Sequence, residues 1–174
     1  MHVKLVQTAR LGLVSMLFFA STLVASRKPS ASVAGEEHAI RTLMSRWVEA
    51  YQDLDAKQLA ALETPDVETV DRFGERHRLS GRSETEELWA DTFEIISRNT
   101  SRPTVAFGRV RFLRPDVAVI EVSWRFADGI LLVDGDRIPP FSEVDTYVTI
   151  KSKGVWLVAV HTMQDKKPQP LRQW

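Results

Sequence analysis

Residues 142–163 read SEVDTYVTIKSKGVWLVAVHTM, and this segment carries the strongest structural signal in the chain. It contains two runs rich in β-branched and aromatic residues, Ser142–Lys151 and Val155–Met163, separated by the short linker Ser152–Gly154. Two such runs around a glycine-containing turn are typical of a β-hairpin. The second run is apolar at nearly every position, so both faces of its sheet should be covered.

A second hairpin is predicted immediately before the first. The runs Val105–Arg114 and Val117–Ala127 flank the turn dipeptide Pro115–Asp116. Between the two hairpins, Asp128–Phe141 contains two glycines and two prolines. It is predicted to be a long loop or an irregular hairpin tip.

The N-terminal part of the domain has helical periodicity. An amphipathic helix is predicted over Glu36–Leu54, and Asp55 with Gln58 forms a capping box that should open a short second helix, closed by Pro65. The apolar stripe of the first helix is Ile40, Leu43, Met44, Trp47, Val48 and Tyr51.

A third helix is predicted to begin at a second capping box, Ser83 with Glu86. Ahead of it, Val67–Asp71 and Arg76–Leu79 flank Gly74 and suggest two short strands or a hairpin. The apolar stripe of the third helix is Leu88, Trp89, Thr92, Phe93 and Ile96.

Three helices followed by an antiparallel meander predict an α+β fold. The helices should pack on one face of a strongly curved sheet. A cone-shaped sheet closed in this way leaves a cavity over its concave face, which is a natural place for a small ligand.

The first residues resemble a secretory signal. Lys4 and Arg10 precede an uncharged segment, LGLVSMLFFASTLVA, and small residues at Ala25 and Ser26 offer a cleavage site. An exported protein, periplasmic or secreted, is therefore expected, with an uncleaved membrane anchor as the alternative. The expected divisions are a signal peptide at 1–26, a flexible leader at 27–35, the domain at 36–165 and a loose tail at 166–174.

Composition excludes several classes of function. The chain has no cysteine, which excludes disulfides, cysteine-ligated metal centres, thiol nucleophiles and a lipid-anchored cysteine. After removal of the signal, 21 basic residues stand against 23 acidic ones. This near balance argues against a nucleic-acid partner.

The order of these elements resembles the nuclear transport factor 2-like superfamily, and within it the SnoaL-like proteins and the SgcJ/EcaC group. The resemblance covers about Glu36 to Gln164 and rests on TPDVETVD, LSGR, RPDVAVIEV and KSKGVWLVAVHT. It implies a cone-shaped sheet and homodimers that associate through their sheets. Members of the superfamily include isomerases, dehydratases and cyclases as well as modules with no chemistry, so the resemblance alone leaves the activity open.

The ketosteroid-isomerase branch implies two candidate catalytic residues. Asp71, three positions before Gly74, matches the general base of that branch, and Asp145 matches its hydrogen-bond donor to the oxyanion. The tyrosine of that branch is replaced by Trp47. The alternatives are a solvated Asp71 at a strand end and an Asp145 paired with an arginine.

Aromatic residues on the predicted inward stripes are candidates for the wall of the cavity. His161 shares its strand face with Leu157, Ala159 and Met163 in a regular alternation, and could be a core residue or a ligand contact. No cluster has metal-ligand spacing, so no metal and no cofactor are expected. The candidate ligand-binding residues are Trp47, Tyr51, Trp89, Phe93, Trp124 and His161.

Two functions remain open at this point, besides a purely structural or protein-interaction role. The first is an exported pocket protein that binds a small apolar ligand and makes no lasting contact with a membrane. The second is a cofactor-independent isomerase, dehydratase or cyclase that uses Asp71 as base and Asp145 as donor. An acid inside the cavity would favour the second function.

Overall fold

The computed structural model describes residues 31–70 and 81–164. The predicted signal peptide, Asp71, the predicted strand Arg76–Leu79 and the predicted tail lie outside these ranges. None of the helices within them is long and apolar enough to cross a membrane.

The described chain forms helices first and most of its strands afterwards. The helices are α1 (Ala31–Gln52), α2 (Ala56–Ala61) and α3 (Arg82–Glu94). The strands are β1 (Glu63–Val70), β2 (Thr104–Phe107), β3 (Arg111–Arg114), β4 (Val117–Phe126), β5 (Ile130–Leu131), β6 (Arg137–Ile138), β7 (Phe141–Ser152) and β8 (Val155–Thr162).

The three helices form where the apolar stripes predict them, but their ends differ from expectation. α1 begins at Ala31, inside the range expected to be a leader. Asp55 caps α2 as predicted, because its Oδ1 accepts a hydrogen bond from the Gln58 N–H at 2.9 Å. α2 ends at Ala61, before Pro65, which lies within β1.

The predicted capping box at Ser83 is wrong. The residue that caps α3 is Gly81, which makes no side-chain cap hydrogen bond and has a φ of 121°. A β-carbon at this position would collide with the carbonyl oxygen of Pro65. A glycine is therefore needed at position 81, because α3 approaches β1 closely there. The local capping pattern does not reveal this tertiary contact.

The main sheet has the strand order β1-β8-β7-β4-β2, and β3 also pairs with β4. The predicted α+β class with helices packed over a sheet is confirmed, but the sheet is mixed, because β1 runs parallel to β8. The single strand predicted over Val105–Arg114 is divided at Gly108, whose N–H donates to the Glu121 carbonyl at 2.8 Å. The region between the hairpins contains the small β5–β6 hairpin.

A β-bulge in β8 overturns the regular alternation predicted for that strand. Thr149 lies opposite Val158 and Val148 lies opposite Val160, so Ala159 is an extra residue between two aligned pairs. Beyond the bulge, the inward positions change phase. His161 is fully buried on the same face as Val158, rather than sharing a face with the partly exposed Ala159.

The core lies between the helices and the inward face of the sheet. Trp47, in the C-terminal part of α1, is 1% exposed and contacts rings from α3, β4, β7 and β8. On the sheet side the buried apolar residues of β4 alternate regularly; they are Ala118, Ile120, Val122, Trp124 and Phe126. This single core positions the site described next.

Candidate functional site

A cavity of about 200 Å³ lies between α1, α3, the β5–β6 hairpin and the sheet. We call it the aromatic cavity. Its lining residues are Trp47, Tyr51, Leu88, Trp89, Thr92, Ile95, Ile96, Trp124, Ile130, Leu132, Ile138, Glu143, Asp145, His161 and Met163. Apolar side chains dominate the wall, and the polar groups are concentrated on β7 and β8.

The aromatic wall is built around Trp47. Its ring centroid lies 5.7 Å from that of Trp89 and 6.1 Å from that of Trp124, both in edge-to-face contact. Tyr51, one helical turn later, lies 5.1 Å from Trp124 and 5.6 Å from Phe93. Edge-to-face contacts of this kind are a geometry that aromatic pairs prefer, so the rings pack favourably against one another around the cavity.

A buried hydrogen-bonded pair lies at the sheet side of the aromatic cavity. Oδ2 of Asp145 is 3.0 Å from Nε2 of His161, and the same oxygen accepts a hydrogen bond from the hydroxyl of Tyr147 at 3.2 Å. The three side chains are adjacent because Tyr147 is aligned with His161 across β7 and β8, and Asp145 lies two residues before Tyr147 on the same face. Asp145 is 2% exposed and His161 is fully buried.

The hydrogen bonds favour one tautomer of His161. Burial and the Asp145 carboxylate raise the pKa of Tyr147 well above its ordinary value, so its hydroxyl stays protonated and donates. We assign the His161 proton to Nε2, which then donates to the same carboxylate, leaving Nδ1 with a lone pair. Within residues 31–70 and 81–164, neither Nδ1 of His161 nor Oδ1 of Asp145 has a hydrogen-bond partner.

The His161 ring is held by stacking as well as by Asp145. It lies 4.4 Å from the Tyr147 ring at 8° and 6.2 Å from the Trp89 ring at 18°, while Trp47 meets it edge-on at 5.1 Å. Three indole N–H groups around the cavity, those of Trp47, Trp89 and Trp124, have no hydrogen-bond partner in the described part of the chain. In that part of the chain, these three nitrogens and Nδ1 of His161 are buried as well as unpartnered.

Glu63 is a buried acid that the sequence analysis missed. It begins β1 and is fully buried. Desolvation raises the pKa of its carboxyl to about 8, against the lowering effect of Trp47 and Arg82 nearby. The indole N–H of Trp47 lies close enough to have this effect but outside hydrogen-bond geometry. Its burial could not be inferred from alternation, because β1 is irregular between Glu63 and Glu68, and Pro65, in the same phase as Glu63, is exposed.

The predicted site residues have the following positions. Asp145 lines the cavity with five of the six candidate ligand contacts, which are Trp47, Tyr51, Trp89, Trp124 and His161. Phe93 does not line the cavity but supports it through Tyr51 and through Trp89, at 5.5 Å. The described partners of Asp145 are His161 and Tyr147 rather than the arginine considered as an alternative.

No family model and no curated protein sequence matches the chain. Among solved structures, a ketosteroid isomerase-like protein from Erwinia carotovora atroseptica is 17% identical, with a TM-score of 0.66, over 76% of this chain and 98% of its own. An NTF2-like protein of unknown function from Pseudomonas putida is 18% identical, with a TM-score of 0.60, over 80% and 91%. A scytalone dehydratase-like protein from Novosphingobium aromaticivorans is 14% identical, with a TM-score of 0.60, over 78% and 87%.

The raised pKa of Glu63 makes stability depend on pH. At pH values between 4.5, the ordinary pKa of a glutamate, and about 8, Glu63 keeps its proton in the folded protein but has lost it in the unfolded chain. Stability therefore falls as pH rises through this window and levels off above it. Glu63→Gln, which is neutral throughout, should match the wild type near pH 5 and exceed it above pH 8 by an amount on the order of 3–5 kcal/mol.

Urea denaturation at pH 5, 7 and 9 measures this difference. Glu68→Gln is the matched control, because Glu68 lies on the same strand but is half-buried; it should leave the pH profile unchanged. Parallel pH profiles for the wild type and Glu63→Gln would contradict the assignment.

Proposed function

We propose that this chain, which has the nuclear transport factor 2-like fold, is an exported pocket protein of the SnoaL-like type that binds a small, mostly apolar ligand. The observation that carries the proposal is the aromatic cavity with polar groups concentrated at one side. Ligand pockets commonly combine an apolar wall with a few polar groups that fix orientation.

The cavity wall favours a flat ligand. Rings such as Trp47, Trp89 and Trp124 provide large apolar contact areas and edge-to-face partners for another ring. The volume of about 200 Å³ is below the range of about 300–1,000 Å³ typical of pockets for drug-sized ligands. A ligand part of one or two rings fits such a volume, and a hydroxyl or N–H on it could donate to Nδ1 of His161.

Native mass spectrometry of protein recovered from its source tests this proposal. The expected spectrum shows a mature chain that begins between about Ala25 and Gly35 and carries a retained small molecule. A chain that retains Met1 and carries no small molecule would count against both export and ligand binding.

A cavity-filling variant makes the test specific. Thr92→Phe should place a ring in the aromatic cavity and abolish ligand retention, whereas Thr42→Phe should retain the ligand. The two threonines are matched, since each bonds to the carbonyl four residues earlier in a helix, but Thr42 is exposed on α1 and does not line the cavity. Equal ligand retention in the two variants would place the ligand elsewhere.

We propose cofactor-independent proton transfer as a second candidate function. The observation that favours it is the buried Asp145–His161 pair at the cavity wall. Nδ1 of His161 could take a proton from a carbon next to a ligand carbonyl, and Asp145 would stabilise the resulting imidazolium. The same proton then returns to the ligand at another carbon, and an indole N–H such as that of Trp124 could stabilise the enolate. Asp71 remains the base suggested by the sequence.

Deuterium exchange into the activated CH₂ of 2-tetralone, a two-ring ketone, tests this second candidate. Followed by NMR in D₂O, exchange should exceed the buffer rate, and His161→Gln should lower it about 100-fold or more. His38→Gln is the control, because His38 is exposed on α1. If exchange with the wild-type protein proceeds only at the buffer rate, proton transfer on this class of ketone is refuted. The binding function is not affected by that result.

We further propose that the protein is a homodimer that associates through its sheet. The face opposite the core carries two apolar cross-strand rows, each partly exposed. These rows are Val119, Val148 and Val160, and Val117, Ile150 and Leu157. An apolar face of this kind normally marks an interface.

Light scattering at micromolar concentration should give the mass of a dimer. Val148→Asp should convert it to a monomer, because the twofold axis would bring two buried charges into the interface. Val155→Asp is the control, since Val155 is already 60% exposed at the start of β8. A monomeric mass for the wild type would refute the proposal.

A further inference from the structure

A second cavity, of about 280 Å³, adjoins the aromatic cavity. The two share three lining residues, Tyr51, Ile96 and Ile130. The remaining lining of the second cavity is largely polar and consists of Gln52, Asp53, Leu54, Ser97, Arg98, Thr100, Ser101, Arg102, Pro103 and Phe126. An apolar compartment and a polar compartment therefore meet at one wall.

The two arginines of the second cavity differ in their pairing. Arg102 donates from Nη2 to Asp53 at 2.7 Å and from Nη1 to Gln52 at 3.3 Å, so its charge is compensated. Arg98 is exposed and makes no ion pair with any residue in the described ranges. The described lining of this cavity thus carries one uncompensated positive charge.

The loop that presents Arg98 is held in place. The Ser97 N–H donates to the Leu131 carbonyl at 2.9 Å, and the Leu131 N–H donates to Oγ1 of Thr100 at 2.9 Å. The Thr100 N–H donates to the Ser97 carbonyl at 2.9 Å. Arg98 therefore projects from a short segment anchored to the same β5–β6 hairpin that lines the aromatic cavity.

We propose that the two cavities together take one amphipathic ligand, with an aromatic ring in the aromatic cavity and a carboxylate at Arg98. The inference rests on the proposed pocket function and adds the chemical class of the ligand, an aryl-substituted carboxylic acid. Together the two cavities reach the size of ordinary small-molecule pockets. The chain that links ring to carboxylate must pass the shared residues Tyr51, Ile96 and Ile130.

A carboxylate is the chemistry that fits the polar compartment. A guanidinium presents a planar fork of N–H donors that matches a carboxylate, and such charge-assisted bonds are stronger than bonds between neutral groups. Asp53 already shows this pairing with Arg102 in the same cavity. Because Arg98 is exposed, its attraction for an anion should weaken as salt is added.

Calorimetric titration with six probes tests the inference. The probes are phenylacetate, 4-phenylbutanoate and 6-phenylhexanoate with the three corresponding phenyl alcohols. At one or more chain lengths the acid should bind about tenfold more tightly than its alcohol, and this preference should shrink at high salt. Arg98→Gln should remove the preference while leaving alcohol binding unchanged.

Arg125→Gln is the matched control, because Arg125 is also exposed but lies on β4 and lines neither cavity; it should keep the acid preference. If acids and alcohols bind the wild type equally, the carboxylate inference is overturned while the pocket function stands. If the preference survives in Arg98→Gln, the assignment of Arg98 is overturned. Failure of all six probes to bind would count against both proposals.

Discussion

β7 advances by one residue between Thr149 and Val148, while β8 advances by two between Val158 and Val160. This mismatch is the constraint on which the site depends. In a regular strand, side chains alternate between faces, so Val158 and His161 would lie on opposite faces. The extra residue, Ala159, returns His161 to the interior, opposite Tyr147 and within hydrogen-bond distance of Asp145. β1 is irregular at the same level, where Glu63 lies opposite Val158 and Glu68 opposite Val160.

The interior that results is unusually acidic for a core. Burial, together with the negative charges of Asp145, Glu143 and Glu63, raises the pKa of Tyr147 well above its ordinary value. Burying a carboxyl group in such an interior costs free energy unless the group is hydrogen-bonded or protonated. The two principal acids meet this cost differently, because Asp145 accepts from Tyr147 and pairs with His161, whereas Glu63 holds a proton up to a pKa of about 8. One buried negative charge is thereby removed near neutral pH.

Much of this architecture is encoded locally and was predictable. The stripe around Trp47 specifies α1, the Asp55 cap specifies the start of α2, and alternation specifies β4 and β7. The aromatic candidates also lie on the inward faces expected of them, because periodicity reports which face is buried. The position of Asp145 in the cavity wall follows from the same alternation of inward and outward residues along β7.

The features that were missed depend on contacts distant in sequence. The division of the strand at Gly108 depends on its close approach to Glu121, and the cap of α3 depends on Pro65. The parallel pairing of β1 with β8 joins residues nearly a hundred positions apart. The bulge at Ala159 cannot be detected in the sequence, because the residues on both sides of it are apolar. A strand with the bulge and a strand without it would therefore show the same pattern of apolar positions. His161 could therefore be placed on β8 from sequence, but its face could not.

The distribution of polar groups limits what the site can select. Apolar walls discriminate weakly between ligands of similar size, whereas a buried hydrogen-bonding group discriminates strongly against a ligand that leaves it unpaired. At the wall of the aromatic cavity, stacking on Tyr147 and the contact with Asp145 orient the His161 ring, and its Nδ1 has no hydrogen-bond partner in the described part of the chain. In the proposed binding function, the aromatic walls would set the shape of the ligand and His161 would set its orientation. If Arg98 sets the charge of the far end, all three properties are fixed by side chains of two adjoining cavities.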